Sequence, residues 1–210
     1  MKGGLGKRVL LAAVGLVVAA FLPFSAIAQT APKEVSLHDS PLLLRGPPFE
    51  GAVARTTVRD NEVTSLRTWN VFVTKPGEIA FITLSESLGD YYMMTRPRVR
   101  DLHDPLLKQP AFPGASWGEG GNMRSGLGLF DYQRWTYNPT TGGKQYCVAF
   151  VNYVDSAESG GWRKRVSGVF CGPREAGQTD LENGFRVLGI KGRYEPPPGV
   201  TPSRAPSPAN

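Results

Sequence analysis

The chain has 210 residues, 40% of them hydrophobic and 20% charged, and carries a formal net charge of +6. That length suits one domain with a real core. The mild positive charge, with neither a dense basic stripe nor a base-reading module, argues against nucleic acid as a partner.

Residues 1–28 read as a secretory signal peptide. Lys2, Lys7 and Arg8 form a basic start, residues 9–24 are apolar and uncharged, and Ala26 and Ala28 sit at the positions a signal peptidase reads. About 16 apolar residues would span roughly 24 Å as helix, short of a ~30 Å hydrocarbon core, so an uncleaved anchor is disfavoured. No later stretch is long enough to span a membrane, so no transmembrane segment is expected after cleavage. Of 24 Lys and Arg, three leave with the signal; against 18 Asp and Glu this puts the mature chain near +3. The expected location is the periplasm or the exterior.

Residues 29–50 read as an extended leader containing Pro32, Pro41, Pro47 and Pro48, with Leu42, Leu43 and Leu44 able to dock on the domain edge. A single domain is expected over 51–194. Residues 52–58 are rich in Val and Thr. Over 68–74, Trp69, Val71 and Val73 alternate as in a half-buried strand. Lys75-Pro76-Gly77-Glu78 carries Pro and Gly where a type II turn wants them, before a further strand over 79–84. The tightest hairpins prefer mirror-image turns, so a loop slightly longer than two residues is expected. Residues 91–95 suggest another strand. Residues 96–113, with prolines at 97, 105, 110 and 113, read as a connection, and 114–128 as a mobile glycine-rich loop. Residues 129–137, 145–154 and 163–171 return to strand character.

Cys147 and Cys171 are the only cysteines. In an exported protein they read as a disulfide, and the absence of C-x-x-C spacing argues against a redox centre. The chain-entropy model gives such a loop about 3.5 kcal/mol. If the two face each other across a hairpin, Val151 faces Ser167, Tyr153 faces Arg165, and Asp155 faces Arg163. The turn then centres on Ser159. Thr179 and Glu182 suggest a capping box for a short helix, with Leu181, Phe185 and Leu188 on one apolar stripe. Residues 195–210 hold six prolines, at 196, 197, 198, 202, 206 and 208, and read as a disordered tail.

The segments Cys147-Val148-Ala149-Phe150 and Ser167-Gly168-Val169-Phe170-Cys171-Gly172-Pro173, followed by the short helix, resemble a C-terminal module of small exported proteins of alphaproteobacteria. The resemblance covers roughly 50 residues. It implies export and a disulfide-plus-helix ending; it implies no mechanism and no functional residues.

Candidate chemistry is sparse. His103 is flanked by Asp101 and Asp104, which could orient a base, but no G-x-S-x-G elbow supplies a nucleophile, and a solvated loop histidine is the expected state. Two histidines and a paired cysteine couple leave too few ligands for zinc, so neither metal nor cofactor is expected. Arg96, Arg98 and Arg100 would project on one side of an extended chain, and Arg163, Lys164 and Arg165 flank the hairpin turn. These six are the candidate anion-binding surface for an envelope polymer or lipid headgroups. Trp117 and Arg124 are the candidate ligand contacts of the glycine-rich loop, suited to a sugar ring or a protein partner. The expected fold is α+β, an antiparallel sheet of six or seven strands with the short helix on one face; a β-sandwich is the alternative. The expected function is a non-enzymatic envelope protein that binds or braces. The alternatives are a subunit of a larger envelope assembly and a secreted hydrolase.

Overall fold

The computed structural model describes residues 30–158 and 160–205. The signal-peptide reading of residues 1–28 and the turn centre at Ser159 lie outside these residues. The protein is mainly antiparallel β-sheet with two short helices.

Two antiparallel meanders make the main sheet. The first is β3 (Val53–Asn61), β4 (Leu66–Lys75) and β5 (Glu78–Ser87); the second is β6 (Ser116–Ser125), β7 (Gly128–Tyr137), β8 (Gln145–Ser156) and β9 (Trp162–Gly172). They join where β9 pairs with β5, giving the order β3-β4-β5-β9-β8-β7-β6. The β4–β5 hairpin closes on two residues rather than a longer loop. Lys75 and Glu78 pair directly, and Gly77 takes the positive φ of 78° that a type II turn demands. In the β8–β9 hairpin Cys147 faces Cys171, Val151 faces Ser167 and Tyr153 faces Arg165, as the spacing predicts. Cys147 and Cys171 form a disulfide with their Cα atoms 4.1 Å apart.

Residues 91–95 make only an isolated bridge, Met93 to Trp162. The proline-bearing connection holds a helix, α1 (Val99–Leu107), with Pro105 inside it. Val99, His103 and Leu107 recur at helical spacing and are buried. The glycine-rich segment is strand β6, not a loop. Its glycines serve close packing: a Cβ on Gly121 would fall 2.9 Å from the Tyr132 hydroxyl, and one on Gly120 2.7 Å from the Tyr132 carbonyl oxygen.

Alternation along the strands gives the sheet two apolar faces. On one, Ile82, Phe130, Val148, Phe150 and Val166 pack beneath the second helix, α2 (Gln178–Arg186), and a small sheet of β2 (Leu42–Leu44) and β10 (Leu188–Ile190). The leader leucines therefore sit in the core, not at an edge. On the other face Trp135, Cys147, Ala149, Val151 and Val169 pack beneath α1. Asp180, not Glu182, caps α2, accepting from the Gly177 N–H at 3.0 Å. Leu181, Phe185 and Leu188 are all buried, as the stripe predicts. At the other end of the chain, residues 196–205 do not run free. The Val200 carbonyl accepts from the Gly46 N–H at 2.8 Å, and β11 (Ser203–Arg204) pairs parallel with β3 at Val53 and Ala54. Beside it β1 (Lys33–Val35) pairs with β3 at residues 56–58.

Two stability predictions follow from this geometry. A Cβ on Gly168 would lie 2.4 Å from the Phe81 carbonyl oxygen and 2.8 Å from Phe150 Cζ. Gly168→Ala is expected to cost about 1–3 kcal/mol in urea unfolding, because the β5–β9 junction must shift to admit it. Replacing both Cys147 and Cys171 by Ala is expected to cost about 2–4 kcal/mol with an unchanged far-ultraviolet spectrum, since the ladder holds the register without the bond.

Candidate functional site

The two basic clusters are spread over several partners. Arg96 lies over the Tyr153 and Trp162 rings at 5.4 and 5.8 Å and pairs with Asp131 at 3.5 Å. Arg98 precedes α1 and pairs with Asp101, while Arg100, inside the helix, lies over Trp117 at 5.7 Å. A helix starting at Val99 thus breaks the one-sided extended row expected of the three. On β9, Arg163 pairs with Asp90 at 3.7 Å and stacks on Tyr92. Lys164 points to the opposite face, between Glu86 and Asp155, each 3.6 Å away. Arg165 donates to the Ser85 hydroxyl at 3.4 Å. The fold does bring Arg96 up to the second cluster, around Tyr153 and Trp162, but most of the charge is answered by the chain's own carboxylates.

Trp117 and Arg124 both lie on β6 and do not converge. Trp117 is half-buried; its indole N–H donates to Asp104 at 2.7 Å and its ring meets Trp135 edge-on. Arg124 is exposed near the far end of the strand, seven residues on, roughly 20 Å away in extended chain.

His103 is buried on α1 rather than solvated in a loop, and its Nε2 donates to the Phe150 carbonyl at 3.3 Å. Its sequence neighbours turn elsewhere: Asp101 accepts from the Arg98 N–H, and Asp104 takes the Trp117 indole. Burial drives the imidazole pKa down to about 4, the bond to Phe150 opposes that, and the Arg165 charge adds to it. Its position fits a wedge between helix and sheet. Tyr153, whose hydroxyl donates to the Pro97 carbonyl at 2.7 Å, has its pKa raised by burial.

A sizeable concavity lies on the other face. A cleft of about 440 Å³ runs between α2 and the sheet. Val148 and Phe170 from β8 and β9 and Leu181 and Phe185 from α2 form its apolar lining, and Pro47, Pro48 and Pro173 stand at its walls. Phe150 stacks on Phe170 and meets Phe185 edge-on, so this floor is a fixed aromatic cluster. The rim is charged: Lys75 pairs with Glu78 at 2.9 Å and Arg174 with Asp180 at 3.7 Å, while the exposed Arg186 has no ion-pair partner among the described residues. A second recess of about 310 Å³ shares Tyr146, Val148 and Ala176 with it and carries the Arg134–Glu175 pair. The sequence reading found only the α2 stripe among these residues. The rest come from separate segments between Pro47 and Pro173, joined by the fold alone. Among the described residues no three His, Cys, Asp or Glu side chains group to hold a metal, and no helix is long and apolar enough to cross a membrane.

Comparison with protein-family models, curated proteins and solved structures finds no match.

The His103 environment sets a pH dependence. With a folded pKa of about 4 against about 6.5 in the unfolded chain, the unfolded state takes up the proton first as pH falls. Stability from this group is therefore full above pH 7 and drops towards pH 4, by about 3 kcal/mol across that window. His103→Gln, which keeps a donor for the Phe150 carbonyl, is expected to flatten the urea midpoint between pH 7 and 5 relative to wild type. An unchanged slope would assign the dependence to other groups.

Proposed function

We propose that the protein is exported and acts without catalysis as a binding protein of the cell envelope, taking an apolar or amphipathic ligand in the cleft between α2 and the sheet. The same reading takes the fold as α+β, with helices packed on one main sheet, rather than as a sandwich. One observation carries the function: an apolar cleft of about 440 Å³ with an aromatic floor. That volume is in the range of small-molecule sites, whose linings are mainly hydrophobic with a few polar groups at the edge. The rim, with two of its three cations paired, argues for recognition mainly by burial, with Arg186 left to meet a polar end of an amphipathic ligand. It also gives no isolated titratable couple of the kind a hydrolase would use. The basic residues 96–100 and 163–165 support an anion-binding surface less well, because carboxylates and rings of the same chain engage most of them.

Gly184 supplies the test. It lies in α2 on the cleft wall, and a Cβ there would meet only Phe170, at 4.0 Å. Gly184→Leu fills the cleft while removing a glycine from a helix, a change that stabilises by up to about 1 kcal/mol. Titration with the neutral fluorescent dye Nile red is expected to show saturable binding to wild type. The leucine variant should bind about tenfold more weakly, with a melting temperature equal or higher. Equal binding by both proteins would remove the cleft as the site.

A further inference from the structure

Charge is unevenly placed around the cleft between α2 and the sheet. Its rim holds three cations, Lys75, Arg174 and Arg186, against two carboxylates, Glu78 and Asp180. Both carboxylates are taken, by Lys75 and Arg174, and both pairs gather at one end. The β4–β5 turn meets the segment after β9 there: a Cβ on Gly77 would lie 4.0 Å from Pro173 Cγ, and one on Gly172 would lie 3.5 Å from Glu78 Cγ. Asp180 stands in the first turn of α2 and Arg186 in its last, about 9 Å further along the helix. Arg186 is exposed, and its side chain makes no hydrogen bond, ion pair or ring contact among the described residues. Asn183 also lines the cleft. Three positions before Arg186, it is that residue's neighbour on the helix surface, and its amide is likewise unengaged among the described residues. The cleft therefore has a paired end and a free donor end, with the apolar floor of Val148, Phe170 and Leu181 between them.

We propose that the ligand of this cleft is a single-chain amphiphile ending in one carboxylate, its chain on the aromatic floor and its carboxylate on Arg186 and Asn183. The proposal rests on the reading of the cleft as a binding site and adds the class of molecule the site takes. Charge decides the head. The rim's excess is a single positive charge, which a monoanion answers; a cationic head would meet Arg186 with both carboxylates already engaged. A planar guanidinium takes a carboxylate through two parallel N–H donors, and the Asn183 amide adds another. A phosphate monoester matches less well. It carries more than one negative charge at neutral pH, and the surplus would face the C-terminus of α2, where the carbonyl dipoles already concentrate negative charge. The lining decides the chain. Phe170, stacked on Phe150, gives a fixed apolar surface, and Gly184 leaves the helix wall beside it open. Burial of methylenes supplies the affinity, and Arg186 sets the orientation and the choice of head.

The test is displacement of Nile red from the full chain, with its disulfide formed, by decanoate, decan-1-ol, decyltrimethylammonium and decyl phosphate. Each is used below its micelle concentration at pH 8, so that single molecules are the ligand and the carboxylate is ionised. Arg186→Gln is expected to bind decanoate about three- to tenfold more weakly than wild type. Nile red and decan-1-ol should bind the two proteins alike, and decyltrimethylammonium should bind the variant more tightly. Arg186→Lys, which keeps the charge and loses the fork, should fall between wild type and the glutamine variant for decanoate. Arg186 is exposed, so both variants are expected to keep the wild-type circular dichroism spectrum. Decanoate binding indifferent to Arg186→Gln overturns the proposal. So does an equal loss for decanoate and decan-1-ol, or tighter binding of wild type to decyltrimethylammonium or decyl phosphate than to decanoate. Gly184→Leu separates this result from the cleft itself. A wild type that binds Nile red where the leucine blocks it, yet does not bind decanoate, overturns the carboxylate and leaves the cleft standing. Binding of every probe unchanged by the leucine removes the cleft, and this proposal with it.

Discussion

The seam between β5 and β9 is the constraint on which the rest hangs. Its partners lie about eighty residues apart, Ile82 facing Gly168 and Phe81 facing Val169. No local signal brings them together; the entropy of closing that loop has to be met by burial on both faces. Gly168 is where the seam is tightest, and the room it leaves holds the Phe150 ring. That ring in turn supports Phe170 and Phe185, which line the cleft. The disulfide sits one strand away and fastens β8 to β9, while the seam itself is held by hydrogen bonds and packing.

What could be read from the sequence was what short-range physics decides. Cys147 and Cys171 with a Gly-bearing turn between them fix a register, and that register is present residue for residue through Tyr153 and Arg165. Leu181 and Phe185 mark a helix face that packs inward. The failures have a common cause. Glycine and proline speak for loops only while their neighbours are unknown. Gly120 and Gly121 stand in a strand because Tyr132 and Gln133 occupy the space a side chain would need. Pro105 stands in a helix because Val99, His103 and Leu107 are held against the sheet. The Pro-rich ends likewise look solvated until β3 offers them its edge.

The same limit governs the site. A run such as Arg163-Lys164-Arg165 looks like concentrated charge along the chain, yet a strand sends its members to opposite faces, and their acidic partners, Asp90, Glu86 and Asp155, are contributed by other elements. On the α2 face a row of alternating charge, Asp60, Arg67, Glu86 and Lys164, crosses four strands at one end of the sheet. Arg67 grips Asp60 through two bonds of 2.7 Å and lowers its pKa. None of this patterning is visible in one dimension. The cleft is a starker case, since its floor and walls are drawn from β8, β9, α2 and the segment before β3.

The closure of β3 by β11 carries a consequence for the order of events during biogenesis. β3 is complete as a segment once residue 61 has been synthesised, and β1 is already present to cover residues 56–58, but the first two residues of β3 wait for residues 203–205, about 140 positions later. A chain released stepwise would therefore leave the start of that strand's border open until they emerge. Closing this border is thus a late step, set by the arrival of residues 203–205 rather than by the folding of the first meander.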